Sequence, residues 1–365
     1  MLIVCKVGSS TLVREGAVDV DYIRSLCEQV ARLSREGHHV VIVSSGAAAA
    51  GMGKLGFSTR PRDVRSLQAC AAAGQAALTD AYAEVLAKYG LPCAQVLLTR
   101  RDVTDREGYL NARNTLERLI ELGAVPVVNE NDTVSVTEFA FGDNDMLGAM
   151  VSALIGADLY VICSDIDGLY TANPATHEDA EIVRHVERVD SSVMEMAGGA
   201  GSAIGTGGMV TKLRAARAMI AAGIPQVICY GREPHLLERI AAGESVGTRF
   251  ESPRDAGQSA PRKLWIGLAE VTRGSLTLDE GACRAVLERG ASVLPVGVVA
   301  TSGTYAEGDV VDVLNTAGDI IGRGVVRYSS EDMVRVRGLK LDVIARFMPD
   351  KDGTPAIHRD ELLVF

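Results

Sequence analysis

Glycines crowd one stretch of this sequence just before an alanine-rich helical pattern: Gly205-Thr206-Gly207-Gly208-Met209-Val210-Thr211-Lys212, followed by Leu213 to Ala222. Glycine lets backbone N–H groups approach an anion closely, a helix start adds the positive end of a dipole, and Lys212 adds a full charge. Together they would cradle a polyphosphate. The order differs from the Walker spacing G-x-x-x-x-G-K-S/T, and the stretch Gly46 to Lys54 misses it as well. A plain flexible turn therefore competes with the phosphate reading, and other polar residues must decide between them.

Polar residues gather at the ends of several apolar runs. Lys6 interrupts Leu2-Ile3-Val4-Cys5 and precedes Gly8-Ser9-Ser10, which suits either a cation aimed at a phosphate or a lysine at a strand edge. Ser44-Ser45-Gly46 leads into four alanines and Gly51, a helix start fit to receive a carboxylate or phosphate, or simply a tight helix contact. Asn129-Glu130-Asn131-Asp132 and Phe141-Gly142-Asp143-Asn144-Asp145 each resemble a turn, yet together carry more polar groups than turns require and suggest a substrate pocket. In Ser164-Asp165-Ile166-Asp167-Gly168-Leu169-Tyr170, Asp165 would orient lysines or contact a nucleotide; a surface turn is the competing reading.

The elements that must position these groups are those of an α/β protein. Leu2 to Val7, Val40 to Val43, Ala94 to Leu98, Val125 to Val128, Leu159 to Cys163 and Gln226 to Cys229 read as strands. Ile23, Leu26, Val30 and Leu33 recur at helical spacing, and further helices are expected near Gln75 to Lys88, Ala112 to Leu122, Met146 to Ile155 and Met209 to Ala222. Strands this apolar need both faces covered, so a mostly parallel sheet sandwiched by helices is expected, with ligands gathering at its strand ends. We expect this domain over residues 1–252, a Pro/Gly/Ser-containing linker over 253–262, a small mainly β domain over 263–345, and a C-terminal extension over 346–365.

Composition narrows the class. At 365 residues, with 47% hydrophobic and 23% charged residues, the chain has the make-up of a globular protein of about two domains. It lacks a basic leader at its start and any run of about eighteen apolar residues, which leads us to expect a cytoplasmic protein. Seven cysteines form no Cys-x-x-Cys pair, and several sit within apolar runs, so reduced core thiols are expected in place of zinc or disulfides. A net charge of −10 argues against broad nucleic-acid binding and for small-molecule work.

The motifs Val4-Cys5-Lys6-Val7-Gly8-Ser9-Ser10, Ser44-Ser45-Gly46-Ala47, Leu97-Leu98-Thr99-Arg100, Leu110-Asn111-Ala112-Arg113, Asn129 to Asp132, Gly142 to Asp145, Asp167-Gly168-Leu169-Tyr170-Thr171 and Gly205 to Lys212 stand in one register. That succession resembles the amino acid kinase family, and within it the glutamate 5-kinases. Asp279-Glu280-Gly281-Ala282 and Ser292-Val293-Leu294-Pro295-Val296-Gly297 resemble the PUA domain that bacterial members carry.

The resemblance implies the amino acid kinase fold and the reaction of ATP with L-glutamate to give L-glutamyl 5-phosphate, the first step of proline synthesis, with Mg²⁺. Position by position, it implies that Lys6, Ser164, Asp165 and the loop Thr206, Gly207, Gly208, Met209, Val210, Thr211 and Lys212 hold ATP. Ser45, Asp132 and Asn144 would bind glutamate. Lys6 and Lys212 are the expected charge stabilisers and Asp165 the residue that orients them, with Asp143 and Asp145 assisting. Ser164, Ser44 and Ser9 stand where the family commonly has threonine, and each keeps the hydroxyl.

Feedback inhibition by proline, a homodimer or homotetramer, and hand-off to a glutamyl phosphate reductase follow from the same resemblance. Aspartate and acetylglutamate kinases share the lysine and glycine-loop logic and are the alternatives within the fold. From another class, the PUA-like module would suit an RNA-binding protein. Against this, nine Lys and Arg face eleven Asp and Glu between Lys263 and Ala345, where an RNA-binding face favours a basic excess.

Overall fold

The computed structural model describes residues 1–14, 17–99, 102–103, 106–135, 144–174, 176–197, 208–251 and 272–365. The chain divides into two compact units, one comprising Met1–Glu187, Met194–Ile220 and Ile224–Pro253, the other chiefly Arg254–Phe365. The expected linker, residues 253–262, lies outside the described residues.

In the first unit, Leu2–Val7 (β1), His39–Ser44 (β2), Cys93–Leu98 (β3), Val125–Glu130 (β4), Leu159–Ser164 (β5), His185–Val186 (β6), Gln226–Tyr230 (β7) and Thr248–Phe250 (β8) form one sheet. Its order is β6-β8-β7-β5-β1-β2-β4-β3. Neighbours pair in parallel except β7 with β8, which is antiparallel. β5 is buried along its whole length and β1 and β2 along nearly all of theirs, which is why they read as unbroken apolar runs in the sequence.

The principal helices of this unit are Val20–Arg35 (α1), Ala47–Met52 (α2), Val64–Ala87 (α3), Arg106–Glu121 (α4), Asn144–Leu154 (α5), Met209–Ala221 (α6) and Leu236–Ala241 (α7). One sheet face buries Ile3, Cys5 and Val7 against Ile23, Leu26 and Val30 of α1, Leu78 and Tyr82 of α3, and Leu237 and Ile240 of α7. Side chains alternate along β1, so Val4 and Lys6 turn to the opposite face, toward α5.

Helix α3 begins well before the expected Gln75. Asp63 caps it, its carboxylate accepting from Ser66 N at 2.9 Å, and the alanine-rich stretch that follows has high intrinsic helix propensity. The small residues of α2 and α3 bring the two backbones together. A Cβ placed on Gly74 would fall 1.9 Å from the Ala47 carbonyl oxygen, and one on Gly51 would fall 1.8 Å from that of Cys70. This contact seats the start of α2 at the end of β2.

The second unit holds a five-stranded sheet of Gly274–Leu278 (β9), Val298–Gly303 (β10), Val310–Leu314 (β11), Ile320–Val326 (β12) and Ile357–Val364 (β13), ordered β10-β9-β11-β12-β13. Leu276, Leu278, Val311, Val313, Val326, Tyr328 and Met333 form its core. The segment 346–365, expected as an extension, instead supplies the edge strand β13, paired antiparallel with β12 through Gly322↔Val364 and Gly324↔Leu362. Pairing satisfies that strand's backbone along one side and buries Leu362 and Leu363, so it belongs to the sheet. Among the described helices, none is long and apolar enough to cross a membrane.

Candidate active site

Parallel register brings the chemically loaded strand ends together. Lys6 lies opposite Val43 and Ile162, and Val7 opposite Ser44 and Cys163, so β1, β2 and β5 end at one level. Beyond those ends lies a cavity of about 710 Å³ whose wall includes Lys6, Ser45, Asp132, Asn144, Ser164, Asp165 and Lys212. Seven residues spread from position 6 to position 212 thus share one pocket, at the strand ends where open α/β sheets bind ligands. Gly208, Met209, Val210 and Thr211 are not on that wall but lead into and form the first turn of α6, which carries Lys212. Thr206, Gly207 and Asp143 lie outside the described residues.

Two lysines and one carboxylate form the buried centre. Lys6 Nζ is 2.5 Å from Asp145 Oδ1, and Lys212 Nζ donates to Asp145 Oδ2 at 2.8 Å. Thr211 Oγ1 donates to the same Oδ2 at 3.3 Å. Lys6, Lys212 and Asp145 are 3%, 5% and 0% exposed, so water screens this cluster little. Burial pushes the Asp145 carboxyl up, but the charges of Lys6 and Lys212 and their hydrogen bonds outweigh it and hold it at about 2. Its place in the first turn of α5 favours the anion further.

The contacts single out one carboxylate at the lysines. Asp145 is the carboxylate in contact with both lysines, whereas Asp165, the one expected to orient them, is exposed beyond the end of β5 and accepts a hydrogen bond from Ser164 Oγ at 3.1 Å. Asp145 belongs to the Gly142 to Asp145 motif, so its chemistry was visible, but its dominance over Asp165 depends on α5 crossing the face that Lys6 shares.

The opposite part of the cavity is polar and acidic. Asn144 Nδ2 lies 2.7 Å from the Ser44 carbonyl oxygen, 2.9 Å from Ser45 Oγ and 2.9 Å from Asn129 Oδ1, tying the ends of β2 and β4 together. Asn129 Nδ2 in turn donates to Gln75 Oε1 on α3 at 2.8 Å. Gly46, in the left-handed region at φ 91°, turns the chain from Ser45 into α2. Asp132 is pushed up to about 6, first by burial and then by Glu130, against the opposing pull of Arg60. Gln75 and Arg60 carry no motif of their own in the sequence and emerge only from this convergence.

The amino acid kinase family model matches residues 1–230, and the PUA domain model matches residues 274–348. The glutamate 5-kinase of Caldanaerobacter subterraneus subsp. tengcongensis is 44% identical over 365 residues, covering 100% of this chain and 98% of its own length. That of Chromobacterium violaceum is 44% identical, covering 99% of this chain and 97% of its own. That of Methylobacillus flagellatus is 45% identical with the same coverage. End-to-end likeness at this level, over both matched domains and a pocket built at the strand ends, places this chain in the amino acid kinase family, among the glutamate 5-kinases.

Proposed function

We propose that this protein transfers the terminal phosphoryl group of ATP to the side-chain carboxylate of L-glutamate, giving L-glutamyl 5-phosphate and ADP and so opening proline synthesis. The observation that carries the reading is the Asp145 clamp on Lys6 and Lys212 in the wall of the cavity that also holds Asp132 and Asn144. The glutamate 5-kinase relatives supply the choice of acceptor.

The residues suit this chemistry. A γ-carboxylate with a reference pKa of about 4.3 is already ionised at neutral pH, so no general base is required. Bringing it to an anionic phosphoryl group requires charge neutralisation and alignment. Lys6 and Lys212 supply the first, with ammonium positions fixed by a carboxylate that stays ionised. Gly8, Ser9 and Ser10 line the same wall and would follow the phosphates, as would the start of α6. Among the described residues no three His, Cys, Asp or Glu converge on a metal site, and the reading has magnesium enter with the nucleotide. Bound there, Mg²⁺ would supply further charge neutralisation. The same reading takes proline as feedback inhibitor, a homodimer or homotetramer as the working assembly, and a reductase as recipient of the labile acyl phosphate.

Release of ADP tests the reading. It should depend on L-glutamate, with little release when the acid is omitted; release indifferent to added acid would reject it.

Asp132 is the proposed partner of the substrate ammonium group, and its position near 6 sets a pH dependence. It is charged above that value and neutral below it. The KM for L-glutamate should therefore rise as pH falls through 6, by up to about tenfold per unit, while the KM for ATP stays level. Asp132→Asn should raise the glutamate KM by roughly tenfold or more at neutral pH and abolish the step. A variant that kept the step would remove Asp132 from this role.

A further inference from the structure

We infer that Tyr160 is a positioning residue for phosphoryl transfer, acting through the backbone of Asp145 on the two buried lysines; this rests on the kinase reading above. Tyr160 lies within β5, fully buried, and its hydroxyl donates to the Asp145 carbonyl oxygen at 2.7 Å. It sits opposite Val4 of β1 as Ile162 sits opposite Lys6, so Tyr160 and Lys6 rise from the same sheet face, two residues apart in register. The phenol therefore pins the first turn of α5 to the sheet that carries Lys6. The side chain of that same residue, Asp145, holds both Lys6 and Lys212.

Gly148, one turn along α5, makes the contact possible. A Cβ at that position would lie 2.4 Å from the Tyr160 hydroxyl oxygen and 2.7 Å from the ring. The phenol thus occupies space that any larger residue would take, and the pair works as a peg and a recess. A hydrogen bond to a main-chain carbonyl in a fully buried setting is strongly directional, and it fixes the height of the helix start above the sheet. The lysines must meet transferring oxygens whose charge develops in the transition state, so a small displacement of Asp145 degrades turnover before ground-state binding.

Tyr160→Phe keeps the ring and removes only the donor. Its kcat should fall about tenfold, with the KM values for L-glutamate and ATP within about twofold of wild type. Gly148→Ala, which pushes the phenol away, should show the same split. The decisive comparison is made in an Asp145→Asn background, where the carboxylate charge has gone: Tyr160→Phe should there cause no further loss of kcat, because coupled residues are not additive. A residue that merely supported the core would lower the unfolding midpoint and multiply its effect in either background. Unchanged kcat in Tyr160→Phe, or independent effects in the double variant, would overturn the inference. Wild-type protein that made no glutamyl phosphate would instead overturn the kinase reading.

Discussion

Lys212→Ala is expected to lower kcat by about a hundredfold or more, roughly 3 kcal/mol of transition-state stabilisation, while the protein remains folded. The lysine is buried in the first turn of α6, and Asp145 fixes its ammonium group at 2.8 Å. Its charge therefore stands in the cavity wall with little screening and no need to reorganise as the reaction proceeds. Truncation to alanine leaves the Lys6–Asp145 pair in place, so no carboxylate is stranded without a cation. The expected loss lies in kcat, with a smaller change in the KM for ATP and little in that for glutamate. Steady-state kinetics on both substrates checks this. A variant turning over at near wild-type rate would remove Lys212 from transition-state stabilisation.

Asp145→Asn should be as damaging to turnover and considerably more damaging to stability. The substitution leaves two buried ammonium groups facing each other without the carboxylate between them, and breaking a buried pair of this kind costs about 3–5 kcal/mol. The pH dependence has a definite sign. Asp145 is held at about 2 in the folded protein against 3.8 for an ordinary aspartate, so its stabilising contribution is present above about pH 4 and is lost as pH falls toward 2. The stability gap between wild type and Asp145→Asn should therefore stay constant from neutral pH to about 4 and narrow below it. Denaturant midpoints measured across that range test this; a gap that already closed between pH 7 and pH 5 would contradict the depressed carboxyl.

Much of this site is legible in the chain because charge is conspicuous in an apolar strand. Lys6 breaks a buried run, and Ser45, Asp132 and Ser164-Asp165 each follow one. What the linear pattern cannot rank is the set of carboxylates around Lys6 and Lys212. Asp145 meets both only because α5 packs on the sheet face that Lys6 shares and because the first turn of α6 brings Lys212 to the same point. Tyr160 reads simply as an aromatic residue in a strand, since its hydroxyl partner is a backbone carbonyl fifteen positions away.

The fold shows the same division. Long buried strands announce themselves, whereas β6 and β8, with two and three residues, fall below any useful periodicity. In β13 the charged run His358-Arg359-Asp360-Glu361 interrupts the apolar pattern, which disguised an edge strand as a tail. Edge strands bear such charges because one side faces solvent.

The central claim is that a carboxylate side chain is phosphorylated in this pocket, and trapping the product tests it most directly. Hydroxylamine converts an acyl phosphate to a coloured hydroxamate, so the protein can be incubated with ATP, Mg²⁺ and hydroxylamine together with L-glutamate, L-aspartate or N-acetyl-L-glutamate. Hydroxamate should form with L-glutamate, depend on ATP, and reach only a small fraction of that level with the other two acids. Preferential reaction of N-acetyl-L-glutamate or L-aspartate, or no hydroxamate from L-glutamate with folded protein, would contradict it.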